Sequence, residues 1–104
     1  MTMFSEREAG FESLFAHHEE TAFKIIARRD RALGRWAAEL LGKEGDEAQA
    51  YVIEVVRADV DDPRHLAVLY KLQDDLGALA SEETIKAKMV EFHTAARKEL
   101  ESER

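Results

Sequence analysis

The chain has four histidines, twenty-two acidic side chains and no cysteine, so metal ligation or proton transfer would rest on imidazole and carboxylate. His17 and His18 are adjacent and are followed by Glu19 and Glu20. Neighbouring residues on a helix point about 100° apart, so the two imidazoles cannot chelate one ion from one face. Beside two carboxylates they could act as a pH sensor, because histidine titrates near neutrality. The plainer reading is a solvated polar pair. His65 and His93 stand alone on what read as separate helices and suit boundary or surface positions. No Glu-x-x-His pair occurs, which disfavours a di-metal carboxylate bundle. Gly42-Lys43-Glu44-Gly45 lacks the glycine spacing and the Lys-Ser/Thr of a phosphate loop and reads as a turn. No acid–base or nucleophile set converges, so the chain is not expected to be an enzyme.

The remaining chemistry is recognition. At about 100° per residue, Phe4, Phe11, Phe15, Ala22, Ile26, Leu33, Trp36 and Leu40 fall within about 40° of one line. The part from Ile26 to Leu40 is expected to be core. Phe4, Phe11 and Phe15 lie further out, where docking to a partner, folding back and self-association all remain open. Lys24, Arg28, Arg31 and Arg35 form a basic stripe on the opposite side. It reads as a solvated face or as an approach surface for an acidic partner.

A length of 104 residues allows one domain with a modest core. A chain 45% hydrophobic and 36% charged, with one proline, suits a helical protein rather than disorder. The net charge of −7 is uneven: residues 1–42 hold six basic and seven acidic side chains, residues 43–104 nine and fifteen. An acidic body makes a poor holder of nucleic acid phosphates or of a membrane surface, which leaves protein as the expected partner. No apolar run reaches the roughly 18 residues of a membrane span, and no signal-peptide pattern opens the chain. The expected setting is cytoplasmic, without membrane insertion.

The elements that must position these residues read as four helices. The first is capped at Ser5, with Glu8 at capping-box spacing, and ends at Gly42. About 37 residues at 1.5 Å each make a rod of roughly 55 Å. The later helices read as roughly 22 to 33 Å, so the N-terminal end should overhang. Gly10 costs that end about 1 kcal/mol, and the stretch before Thr21 is expected to fray in the free protein. The second helix runs from Asp46 to about Asp59, with Ala48, Tyr51, Val52, Val55 and Val56 inward. The third starts at Asp62 as cap with Pro63 at its first position. Its stripe is Leu66, Leu69, Leu72 or Gln73, Leu76 and Leu79. Ser81 caps the fourth, whose seam is Ile85, Met89, Phe92, Ala96 and Leu100. No strand pattern appears. The expected fold is all-α: a four-helix bundle with a long, protruding N-terminal helix, divided into an N-terminal segment 1–20 and a bundle 21–104.

One run of residues is more specific than periodicity. Phe4-x-x-Arg7-Glu8-x-x-Phe11-Glu12-x-x-Phe15-Ala16 is followed by Phe23-Lys24, Ala27-Arg28-Arg29, Leu33-Gly34-x-Trp36-Ala37-Ala38-Glu39 and Leu41-Gly42. This resembles the alphaproteobacterial F1-ATPase inhibitor zeta-subunit family, once grouped as a domain of unknown function. The similarity continues through Gly45, Ala48, Tyr51, Glu54-Val55-Val56 and Ala58-Asp59, and is looser after that. The resemblance implies a four-helix bundle whose N-terminal segment inhibits ATP hydrolysis. The segment would insert as a helix between catalytic and noncatalytic subunits toward the rotor, making the alpha, beta and gamma subunits of F1-ATPase the partners. By position, Phe4, Arg7, Glu8, Phe11, Glu12 and Phe15 would form the inhibitory face. No cofactor is required; the family is linked to weak adenine nucleotide binding, but no motif here places such a site. The free protein is expected to be a monomer. His17-His18 departs from the more strongly charged pair expected there, which raises the hypothesis that inhibition strengthens as pH falls. The competing reading is a generic helical adaptor or homodimer without an ATPase role.

Overall fold

The computed structural model describes the backbone of residues 2–60 and 62–103, and the side chains of residues 20–60 and 62–103. Within those limits the chain is all-helical, without a strand. The elements are α1 (Thr2–Leu40), α2 (Gly45–Val60), α3 (Leu66–Leu76) with a 3₁₀ turn at Gly77–Leu79, and α4 (Glu82–Ser102). The capping box at Ser5 and Glu8, the overhang of α1 and the division at residue 20 all rest on side chains outside the described residues.

Local chemistry sets the boundaries. Gly42 adopts the left-handed conformation (φ 74°), which carries no Cβ penalty in glycine. The Lys43 amide then donates to the Ala38 carbonyl at 2.9 Å, and the Gly42 amide to that of Glu39 at 3.1 Å. That nested pair closes α1 as a Schellman motif. The Ser81 hydroxyl accepts from the Thr84 amide at 3.1 Å, so Ser81 caps α4 as its position implies. Glu82 and Glu83 follow in the first turn.

α3 differs from expectation. It begins at Leu66, three residues beyond Pro63, with His65 in the left-handed region (φ 58°) and offering no side-chain cap. Asp62 performs the cap from a distance. Its Oδ2 accepts from the amides of Leu66 at 2.8 Å and Ala67 at 2.7 Å, and its Oδ1 from that of Arg64 at 3.1 Å. The carboxylate thus serves the helix's first two amides, while residues 63–65 form the turn leading in. These amide donations, led by that of Ala67, hold the Asp62 carboxyl below its ordinary pKa.

The core joins all four helices: Leu33, Ala37 and Ala38 from α1, Tyr51 and Val55 from α2, Val68, Leu69, Leu72 and Leu76 from α3, and Ile85 from α4. Trp36, Met89 and Phe92 pack against it while half-buried. Among the expected core residues that lie outside it, Leu40 is 39% exposed and Leu79 56%, and Ile26 is only half-buried. The buried face of α1 is turned by roughly 70° from the expected apolar line, at 100° per residue, toward Gly34, Ala37 and Ala38. Gly34 shows why. A Cβ there would lie 2.9 Å from Val52 Cα and 3.2 Å from its Cγ2, so α2 comes against the bare backbone of α1. Small residues decide which side of α1 meets α2, and a reading that weighs only large apolar side chains misses them. Leu79 escapes because α3 ends at Gly77 (φ 52°), which takes the following turn off the stripe.

Candidate functional site

Phe4, Arg7, Glu8, Phe11, Glu12 and Phe15, with His17 and His18, all belong to the stretch of α1 whose side chains lie outside the described residues. What is described is the root from which that stretch extends. From Glu20 to Arg28 no residue of α1 is buried. Burial starts at Arg29 and Asp30, and the apolar core at Leu33.

The root carries a buried ionic cluster that the spacing reading did not single out. Arg29, Asp30 and Asp59 are the buried charged residues among those described. The Arg29 guanidinium donates to Asp30 Oδ1 through Nε at 3.0 Å and Nη2 at 2.9 Å, and Nη2 also reaches Asp59 Oδ2 at 3.3 Å. The other oxygen of Asp59 lies 2.8 Å from His65 Nδ1. One guanidinium therefore faces two carboxylates contributed by different helices. Burial first, then the neighbouring Asp59, push the Asp30 carboxyl up to about 8, against the opposing pull of Arg29. His65, the partly exposed member, was read as a boundary histidine and occupies one, tied to Asp59.

A groove of about 290 Å³ opens over this cluster. Ala22, Phe23, Ile26 and Ala27 of α1 form one wall, Val56 and Val60 of α2 the other, and Pro63 and His65 close the end. Phe23 and Val60 are each about two-thirds exposed, 67% and 66%. Ala22 and Ile26, which belong to the apolar line of the sequence, face this groove.

The basic stripe is partly consumed within the chain. Lys24 lies 3.5 Å from Glu20, and Arg28 makes a two-pronged bond to Glu103, 2.8 Å on each side. Arg31 and Arg35 remain exposed. Away from the root, the Tyr51 hydroxyl donates to Asp75 Oδ2 at 2.8 Å, and Lys71 pairs with Asp75 at 3.0 Å while lying over the Tyr51 ring. Burial, then the Asp75 carboxylate, raise the Tyr51 phenol above its ordinary pKa. His93 is half-buried, and desolvation, then Arg29 and Arg97, lower its pKa. Among the described residues no group of three or more His, Asp or Glu could hold a metal ion, and no helix is long and apolar enough to cross a membrane.

The cluster had a sequence signal. Asp30 lies one turn from both Ile26 and Leu33, and Asp59 one turn after Val55 and two after Tyr51. Asp59 thus occupies a stripe position and Asp30 the edge of one, where a charge is costly unless paired.

The family model of the ATPase inhibitor subunit zeta matches residues 1–99. A chain solved by solution NMR is 41% identical, with a TM-score of 0.70, and the match covers 79% of this chain and 96% of that one. No curated protein matches.

Proposed function

We propose, from the premise that the chain belongs to the ATPase inhibitor subunit zeta family, that residues 1–20 are its inhibitory element and residues 21–104 a four-helix bundle that carries it. The family supports inhibition of an F1-type ATPase in general. The finer reading is a wedge: the N-terminal part of α1 inserts as a helix between catalytic and noncatalytic subunits toward the rotor, and arrests hydrolysis in one rotary state. Phe4, Phe11 and Phe15 would supply buried aromatic area, and Arg7, Glu8 and Glu12 the polar contacts that fix register.

The observation that supports this most is where the body takes hold of α1. The family match starts at residue 1, yet α1 joins the apolar core only from Leu33 onward. The body secures one end of a 39-residue helix and leaves described residues 20–28 unburied. The wedge requires no cofactor, and weak adenine nucleotide binding would be incidental to it. Its place would be the cytoplasmic face, through F1, with the free protein monomeric.

The test adds the chain to F1-ATPase from its own organism and follows ATP hydrolysis. The full chain should inhibit, and a version lacking residues 1–16 should keep its helical circular dichroism yet fail to inhibit. Inhibition that survives the deletion would sink the site assignment. Concentration-dependent sedimentation of the free chain would favour the adaptor or homodimer reading instead.

A further inference from the structure

We propose that Arg29, Asp30 and Asp59, reached from solvent through His65, form a proton-held latch that sets how far along α1 the body grips. With one proton on the acid pair the end of α2 is fastened to α1. When that proton leaves, two like charges meet across the seam and residues 22–30 loosen, while the core from Leu33 onward stays packed. This inference concerns the free chain and stands whether or not the segment before residue 20 inhibits an ATPase.

Asp30 belongs to α1 and Asp59 to α2, both are buried, and one guanidinium serves both. A single positive charge balances a single carboxylate, and an interior does not hold the second as a bare anion. With His65 uncharged, one shareable proton makes the cluster neutral. The position of Asp30 near pH 8 agrees with this count. His65 gives the cluster its contact with solvent: its side chain is 40% exposed, while those of Asp59 and Asp30 are 3% and 2%.

The other charges around the cluster do not replace the proton. In the turn before α3, Asp62 already accepts three backbone amides. On α4, His93 is held toward its neutral form by desolvation, then by Arg29 and Arg97. The buried charge is therefore settled between α1, α2 and His65.

The sign follows from the direction of the Asp30 shift. A carboxyl raised in the closed state contributes stability that is complete below its ordinary range and is lost as pH rises through its closed-state value. Opening should grow by up to about tenfold per pH unit between about pH 5 and 8 and level off above that.

Amide exchange at pH 5.5, 6.5 and 7.5, corrected for the intrinsic rate, reads this directly. Protection of residues 22–30 and 55–60 should fall with pH relative to α4 amides at Ile85–Ala96. In Asp30→Asn the dependence should vanish. Should that variant not fold, a carbon-13 titration of the wild-type Asp30 carboxyl decides, with an inflection well above the carboxylate range expected. An inflection in the ordinary carboxylate range overturns the latch. So does protection that follows the α4 reference at every pH, or a dependence unchanged in Asp30→Asn.

Discussion

Gly34→Ala should destabilise this protein, against the usual rule for a glycine inside a helix. Propensity alone favours alanine by about 1 kcal/mol. Here the added Cβ would sit 2.9 Å from Val52 Cα, 3.3 Å from its Cβ and 3.2 Å from its Cγ2. The first contact is to backbone, so no rotamer change relieves it, and α1 and α2 must separate along their whole shared face. Forcing an extra carbon into a close-packed seam costs about 1–3 kcal/mol. The net expectation is a loss of about 1 kcal/mol, at most ~2, with a Tm drop of about 4–8 °C for each kcal/mol. Urea denaturation followed by circular dichroism gives the value. A double-mutant cycle with Val52→Ala sharpens it. That change removes only the Cγ2 contact, so the coupling between the sites should stay below about 0.5 kcal/mol. A gain in stability for Gly34→Ala would refute the reasoning, since it would mean that α2 does not approach the α1 backbone as described. A coupling near the whole loss would instead place the obstruction in the Val52 side chain.

Further expectations follow from the root and the far end of the core. The stability difference between Asp30→Asn and wild type should grow in favour of the variant by up to about 1.4 kcal/mol per pH unit between pH 5 and 7. A flat difference in urea titrations would mean Asp30 is charged throughout. Tyr51→Phe removes the donor to Asp75 and should cost about 1 kcal/mol at pH 7, while Lys71 continues to neutralise the acid. A loss above ~3 kcal/mol would assign the hydroxyl a larger role than one hydrogen bond. If His17 and His18 sense pH, inhibition of F1-ATPase should be stronger at pH 6.5 than at pH 8, and equal inhibition would dismiss them.

Caps and periodicity make most of the helical plan legible in the sequence. Ser81 and Gly42 act where their residue types place them, because a cap is a local event decided by three or four neighbouring residues. The start of α3 was less legible. Asp62 does serve the first amides, but a left-handed His65 lets it do so from outside the helix, and nothing in Asp-Pro-Arg-His announces that conformation. The buried face of α1 was misplaced for a different reason. Hydrophobic weighting favours Leu40 and Trp36, whereas close approach favours glycine and alanine, and at the α1–α2 seam approach wins. Asp59 was visible as a charge on an apolar stripe and Asp30 as one at the edge of another, yet their meaning depends on a pairing across 29 positions of chain. The inhibitory face came from resemblance rather than spacing, since isolated phenylalanines at helical intervals serve a core or a partner equally well.

The two-pronged bond between Arg28 and Glu103 has a consequence for how the molecule is made. α1 is synthesised before α4, and Arg28's partner for this bond lies 75 positions further along the chain. α2 and α3 can collapse onto α1 during synthesis, since their sequence separations are short. The α4 side of α1 stays open until synthesis has passed position 103. Closure of this seam is therefore timed by α4, and a nascent chain stalled within α4 would present an unfinished seam to chaperones and proteases.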